Sequence, residues 1–113
     1  MASALEVVAI EEVARLGAAN RSVFSSAERA YAASKSDPDR RLAARLAAKR
    51  AAARLLGVDP ADVEVLREGG PPRLSLSPKA EARLVALGAA RALVSLTHGR
   101  THAAASVLLI EGA

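Results

Sequence analysis

The longest regular pattern in the chain covers residues 37–57, where leucines recur at helical spacing among alanines and basic residues. Alanine, leucine, arginine and lysine are the strongest helix formers. Asp37 is a good N-cap, Pro38 suits the first helical position, and Gly57 suits the C-terminal stop. The pattern therefore predicts one long central helix on which the other elements pack.

A lysine interrupts the apolar face of this predicted helix. That face is formed by Leu42, Leu46, Ala53 and Leu56. Lys49 points into the centre of the face, and Arg50 lies just outside its edge. A lysine so placed must either extend its ammonium to solvent or meet an anion. The pattern alone favours the extension to solvent.

An apolar segment over residues 4–10 is rich in β-branched side chains and predicts a short buried strand. A helix over residues 3–16 is the competing interpretation. In a strand, Glu6 would share a face with Val8 and Ile10. Its carboxylate would then have to be paired, protonated or metal-bound, because an unpaired buried carboxylate is costly.

Capping and turn residues predict the remaining elements. In chain order they are helical turns over residues 11–19, a helix capped by Ser25 or Ser26 with Glu28 in its first turn, a hairpin over 63–76 with its turn at 68–72, a helix from Ser77 to Gly88, and a hairpin over 92–110. We expect an α+β fold in one domain over residues 1–113, with a small antiparallel sheet packed on the central helix.

Composition limits the class of protein. Hydrophobic residues make up 51% of the 113 residues but aromatic residues only 2%, so the core must be thin, which favours an oligomer that shares apolar surface. Cysteine is absent, which excludes disulfides and thiolate metal sites and fits the cytoplasm. The sequence has no apolar run long enough to span a membrane and no secretion signal, so no membrane association is expected.

The net charge of +4 favours anionic partners, namely phosphates, an acidic protein or nucleic acid. A general bias toward arginine and alanine would explain the same charge. Nucleic-acid binding through the central helix is the weakest of these readings, because stacking aromatics are missing and both faces of the helix carry charge.

Several segments resemble a known family, the holo-acyl-carrier-protein synthases, which are small phosphopantetheinyl transferases. Residues 45–51, Arg-Leu-Ala-Ala-Lys-Arg-Ala, are similar to the family signature Arg-Phe-Ala-x-Lys-Glu-Ala. Residues 94–98 and 103–107 are similar to its C-terminal Val-Ser-Ile/Leu-Ser/Thr-His and Ala-x-Ala-x-Val. Residues 5–10 match its opening motif, with Glu6 in the place of an aspartate that binds metal.

The resemblance implies a phosphopantetheinyl transferase-like fold, a homotrimer with sites between subunits, and transfer of 4′-phosphopantetheine from coenzyme A to a serine of a carrier protein. In the family a magnesium ion grips the diphosphate of coenzyme A. The residues that the resemblance assigns are Glu6 as metal ligand and catalytic residue, Lys49 as catalytic and phosphate-holding residue, and Arg45, Ser95 and His98 on the cofactor side. Arg50, which stands where the family has a glutamate, is a further candidate for binding the cofactor.

Arg50 replaces the family's second metal-binding carboxylate, and this argues against magnesium. At about 4 Å and an effective dielectric constant of about 20, losing that carboxylate removes roughly 8 kcal/mol of attraction for a divalent ion. Arg50 and Lys49 could instead grip the diphosphate directly, since arginine matches phosphate geometry. Arg50 as a solvated charge on the helix edge is the simpler alternative.

The predicted carrier-binding surface also differs from the family pattern. Glu11 and Glu12 stand where family members present basic residues, so docking would shift to three nearby arginines, Arg15, Arg21 and Arg29. Two functions remain open from the sequence. One is a transferase with a modified metal site, and the other is a catalytically silent relative that binds coenzyme A, a carrier protein or an active paralogue.

Overall fold

The computed structural model describes residues 2–67 and 69–112. Its elements in chain order are β1 (Ala2–Ala9), α1 (Ile10–Ala14), α2 (Ala18–Arg21), α3 (Ser26–Ala33), α4 (Pro38–Leu56), a 3₁₀ turn (Pro60–Asp62), β2 (Val63–Leu66), β3 (Arg73–Leu76), α5 (Pro78–Ala86), β4 (Ala89–His98) and β5 (His102–Glu111). This is the predicted α+β architecture, with antiparallel sheets and one long helix.

Helix α4 has the predicted ends. Asp37 occupies the N-cap position, but its side chain makes no capping bond to the helix backbone and instead accepts a hydrogen bond of 3.1 Å from Arg41 Nε, while Pro38 occupies the first turn. Gly57 adopts the left-handed conformation, with φ 71°, and its N–H donates to the Ala53 carbonyl at 2.8 Å. Glycine tolerates this conformation because it has no Cβ.

The strands form two antiparallel sheets, one with the order β1-β5-β4 and one that pairs β2 with β3. The first and last strands of the chain are thus neighbours. The strand interpretation of residues 4–10 is confirmed up to Ala9, and the competing helix over residues 3–16 is wrong for that segment. At Ile10 the chain turns into α1, and the Ile10 N–H donates to the Thr101 carbonyl at 2.9 Å.

The capped helices and both hairpins are confirmed. Ser25 caps α3 in a reciprocal capping box with Glu28, and Ser77 caps α5 by accepting from the Ala80 N–H at 3.1 Å. In the C-terminal hairpin, the Gly99 N–H donates to the His102 carbonyl at 2.8 Å. The predicted turn at 68–72 includes position 68, which lies outside the described residues.

Helix α4 is buried on nearly all sides, far beyond its predicted apolar face. Alanines form most of its buried surface, and they face buried small side chains of β5 such as Ala103 and Ala105. Small side chains on both elements let the helix approach the sheet closely. The core continues on one side to Phe24 and Val13 and on the other to Leu84 of α5.

The outward face of the three-stranded sheet is apolar and open. Leu5, Val7 and Leu93 are exposed by 62%, 59% and 44%. On the same face, Ser106 of the central strand β5 is paired with Leu5 of β1 on one side and with Ser95 of β4 on the other. In the part of the chain that the structure describes, no helix has the length and apolar character needed to cross a membrane.

Candidate functional site

Lys49 does not extend to solvent. Its side chain is 1% exposed, and Nζ lies 2.8 Å from Glu28 Oε1 while also donating to the Val63 carbonyl. The prediction of an ammonium at the surface is therefore wrong. The anion that Lys49 meets is a carboxylate of the protein itself, that of Glu28.

Glu28 is bound on both carboxylate oxygens. Oε1 accepts from the Ser25 N–H at 2.8 Å as well as from Lys49, and Oε2 accepts from the Val65 N–H at 2.8 Å. The pair thus joins α3, α4 and β2. A buried pair needs such additional hydrogen bonds to offset the loss of solvation.

A basic pocket of about 250 Å³ opens beside this network, one helical turn toward the N-terminus of α4. We define it by its lining residues Tyr31, Arg41, Ala44, Arg45, Arg67, Leu96, Thr97 and His98. Three arginines and a histidine thus surround one opening, while Tyr31 adds an aromatic wall. Such a lining suits a phosphate-bearing ligand with a flat group.

Arg45 is the buried cation of the basic pocket. It is 3% exposed, and its guanidinium carbon lies 4.1 Å from the centroid of the Tyr31 ring. Burial lowers the pKa of the Arg45 guanidinium from its usual value, although an arginine stays protonated at neutral pH. Among the described residues, Arg45 Nε is the only buried side-chain nitrogen or oxygen without a hydrogen-bond partner. Arg45 is also one of the lining residues of the basic pocket, so an anion bound there would lie beside its guanidinium.

A second group of charges lies along the edge between α4 and β1. Arg54 Nη1 lies 2.7 Å from Glu6 Oε2, and Arg54 Nη2 donates to the Leu5 carbonyl at 3.2 Å. Arg50 Nη2 lies 2.5 Å from Glu12 Oε2. We call these four residues, Glu6, Glu12, Arg50 and Arg54, the ion-pair cluster. Each carboxylate in it already has a guanidinium partner.

The magnesium ion that the resemblance implies does not fit the ion-pair cluster. Glu6 is held by Arg54, and position 50 offers a guanidinium in place of a carboxylate. Within residues 2–67 and 69–112, no group of three or more His, Cys, Asp or Glu side chains could hold a metal ion. A guanidinium has donors only and cannot act as a ligand.

The structure separates the predicted cofactor residues into three places. Arg45 and His98 line the basic pocket. Lys49 is enclosed in the Glu28 network, and Arg50 belongs to the ion-pair cluster together with Glu6. Ser95 is exposed on the outward face of the sheet.

Two of the three predicted docking arginines are already engaged. Arg15 pairs with Glu11 at 2.5 Å, with both side chains largely exposed. Arg21 pairs with Asp39 at 3.5 Å and donates to the Val13 carbonyl at 3.0 Å. Arg29 is exposed on α3.

Sequence reasoning missed four residues of these sites: Tyr31, Arg41, Arg54 and Arg67. Helical spacing gave a signal for two of them, since Arg41 and Arg45 are four residues apart, as are Arg50 and Arg54. Tyr31 and Arg67 come from distant segments, and their place beside α4 depends on how α3 and β2 pack on it.

Comparison with characterised sequences gives one consistent family, although no family model matches the chain. The chain is 51% identical over 75 residues to the holo-acyl-carrier-protein synthase of Nitratidesulfovibrio vulgaris, an alignment that covers 60% of each protein. It is 43% identical over 91 residues to the synthase of Anaeromyxobacter dehalogenans, covering 77% of this chain and 71% of that protein. The chain therefore spans less than two thirds of the length of the first of these relatives.

Solved structures agree with that assignment. The apo synthase of Chronobacterium ammoniagenes superposes with a TM-score of 0.80 at 27% identity, covering 96% of this chain and 94% of that one. The acyl carrier protein synthase of Mycobacterium tuberculosis gives 0.71 at 29% identity, covering 97% and 96%. A coenzyme A complex of the Chronobacterium ammoniagenes enzyme shares the fold, with a TM-score of 0.80 at 24% identity over 99% of this chain and 98% of that one. The chain belongs to the holo-acyl-carrier-protein synthase family.

Proposed function

We propose that the protein binds coenzyme A with an anionic part of the ligand in the basic pocket, and transfers 4′-phosphopantetheine to a serine of an acyl carrier protein. The observation that carries this proposal is Arg45, a buried cation that lines a pocket together with further cations and whose Nε has no hydrogen-bond partner. Family membership and the coenzyme A complex of a protein with the same fold support the choice of ligand.

In the proposed reaction the serine hydroxyl oxygen attacks the β-phosphorus of coenzyme A. A new P–O bond forms there, the bond from that phosphorus to the bridging oxygen breaks, and 3′,5′-ADP leaves with that oxygen. The serine proton must pass to a base. Arg50 remains protonated and cannot accept it. We assign the base role to Glu6, which must first leave Arg54.

Lys49 has a different role in this proposal from the one the resemblance implied. Its ammonium is already bound by Glu28 and the Val63 carbonyl, and its side chain is almost completely buried. We therefore assign Lys49 as a positioning residue. It fixes α4 against α3 and β2, and so fixes Arg45 one turn away on the same helix.

We further propose that the outward face of the three-stranded sheet is covered by other copies of this chain, in a homotrimer. Leu5, Val7 and Leu93 are exposed apolar side chains on that face, and the paired Ser95 and Ser106 add small uncharged side chains. His98 ends β4 at the basic pocket, so a neighbouring copy on this sheet would also border the pocket.

Titration of coenzyme A tests the binding step. Arg45→Met removes the buried cation and should weaken binding about 10- to 100-fold, the range expected for lost charge-assisted hydrogen bonds. Arg40→Met is the matched control, because Arg40 lines a separate pocket with Asp37 and Arg100. Equal affinities for wild type and Arg45→Met would overturn the assignment of the basic pocket.

Incubation with coenzyme A and an apo carrier protein tests the transfer step. The proposed transferase adds the mass of phosphopantetheine to the carrier. A catalytically silent coenzyme A-binding relative is the second candidate, and the Arg50–Glu12 pair favours it because it occupies the position of the family's metal ligand. Coenzyme A binding without any mass gain would select this second candidate.

A further inference from the structure

The ion-pair cluster lies where the family resemblance implies a divalent cation, and its charges already cancel. Two glutamates face two arginines, and each ion pair is closed by a contact of 2.7 Å or less. A divalent cation needs several oxygen ligands and an excess of negative charge. The cluster provides neither, because both carboxylates are engaged and both neighbours are cations.

The elements that carry the cluster keep it in this arrangement. Arg50 and Arg54 are one helical turn apart on α4, so both side chains leave the helix on the same side. Arg54 is further tied to β1 through the Leu5 carbonyl, the residue next to Glu6. Glu12 lies on α1, which packs on α4. The cluster thus joins three elements through side chains of opposite charge.

The side chains of the ion-pair cluster are partly exposed, so its arginines can exchange their carboxylate partners for another anion. The Arg50 and Glu12 side chains are 37% and 42% exposed, and Arg54 is 58% exposed. Partly exposed ion pairs are weak, so an incoming polyanion can take a guanidinium from its carboxylate. A guanidinium binds both carboxylate and phosphate oxygens through two parallel hydrogen bonds. A guanidinium that exchanges a carboxylate for a phosphate therefore keeps the same mode of binding.

We propose that the ion-pair cluster replaces the divalent cation, so that Arg50 and Arg54 bind the diphosphate of coenzyme A and binding needs no metal. The inference rests on the proposed function, since it concerns the same ligand. It adds that the protein differs from a metal-dependent binder in using guanidinium groups of α4, released from their carboxylates, in place of the ion.

Three titrations of the protein test this. Coenzyme A is titrated in EDTA and in MgCl₂, and MgCl₂ is titrated alone. We expect the coenzyme A affinities in the two buffers to agree within about twofold. We also expect no magnesium binding up to millimolar concentration, about the dissociation constant of the weakest protein sites for divalent cations. A loss of affinity of about tenfold or more in EDTA overturns the inference.

A charge-reversal variant supplies the converse test. Arg50→Glu should weaken coenzyme A binding in EDTA by about tenfold or more, and MgCl₂ should restore part of it, because a carboxylate then stands beside Glu6. Arg91→Glu is the control with the same change of charge, since Arg91 lines a different pocket with Leu74 and Glu81. Equal losses in both variants would show only a general effect of charge and overturn the inference.

The outcomes separate the two proposals. Wild-type binding that depends on magnesium overturns the inference and leaves the proposed function standing. Absence of coenzyme A binding in both buffers overturns the proposed function, and the inference is overturned with it.

Discussion

The ammonium of Lys49 and the carboxylate of Glu28 lie 2.8 Å apart with both side chains 1% exposed or less, although 21 positions separate them along the chain. The family signature predicts Lys49 to be important. The structure places its ammonium between three elements, α3, α4 and β2.

Removing one member of this pair should destabilise the fold strongly. Lys49→Met leaves the Glu28 carboxylate buried without its cation, and losses of about 3–5 kcal/mol in the free energy of unfolding are expected for such a change. Urea denaturation of Lys49→Met, Glu28→Gln and the double variant gives the coupling energy. The double variant should lose less than the sum of the single variants. A loss below about 1 kcal/mol in the free energy of unfolding for Lys49→Met would contradict the buried pair, because an exposed ion pair contributes no more than that.

The C-terminal end of α4 offers a test of local backbone conformation. Gly57→Ala should lower the free energy of unfolding by about 1 kcal/mol, because alanine is disfavoured at positive φ. Gly17→Ala is the control, since Gly17 has an ordinary φ of −73° and open space around it. Thermal or urea denaturation should show a change within about 0.5 kcal/mol for this control. Equal costs at the two glycines would contradict the role assigned to Gly57.

The outward sheet face should control the oligomeric state. Val7→Asp places a charge in the proposed interface and should convert the trimer to monomer, as measured by light scattering after size-exclusion chromatography. Val85→Asp is the matched control, because Val85 is similarly exposed, at 68% against 59% for Val7, but lies on α5. A wild-type monomer at micromolar concentration, or a trimer that survives Val7→Asp, would contradict the proposed assembly.

Carrier docking should depend on Arg29, the basic residue of α3. Arg29→Glu should slow the association with an acidic apo carrier protein several-fold, about 3- to 10-fold at low salt, because rim charges act mainly on the association rate. Surface plasmon resonance at two salt concentrations measures this, with Arg91→Glu as the control of equal charge. An unchanged association rate for Arg29→Glu would place the docking surface elsewhere.

Most of the fold could be predicted from the sequence, because local signals mark where its helices and hairpins begin and end. Asp37, Pro38 and Gly57 marked both ends of α4, and Ser77 with Pro78 marked the start of α5. These are contacts within a few residues, which caps and turns report directly. The small antiparallel sheet followed from the same kind of signal at the C-terminal hairpin.

The site was harder to predict because its contacts join distant segments. The capping box at Ser25 and Glu28 was recognisable, but the further bonds of Glu28 to Lys49 and Val65 depend on how α3 packs against α4 and β2. Likewise, the burial of Arg45 against Tyr31 follows from that packing. Sequence patterns place a residue on a face of its helix, and they do not report which side chain meets it there.

Coenzyme A bound as proposed places an anion against the buried guanidinium of Arg45. A crystal structure of the complex with coenzyme A, prepared in EDTA, tests this placement. We expect an oxygen of a ligand phosphate within hydrogen-bond distance, about 2.7–3.2 Å, of Arg45 Nε. Coenzyme A bound elsewhere, with Arg45 Nε still lacking a partner, would contradict it.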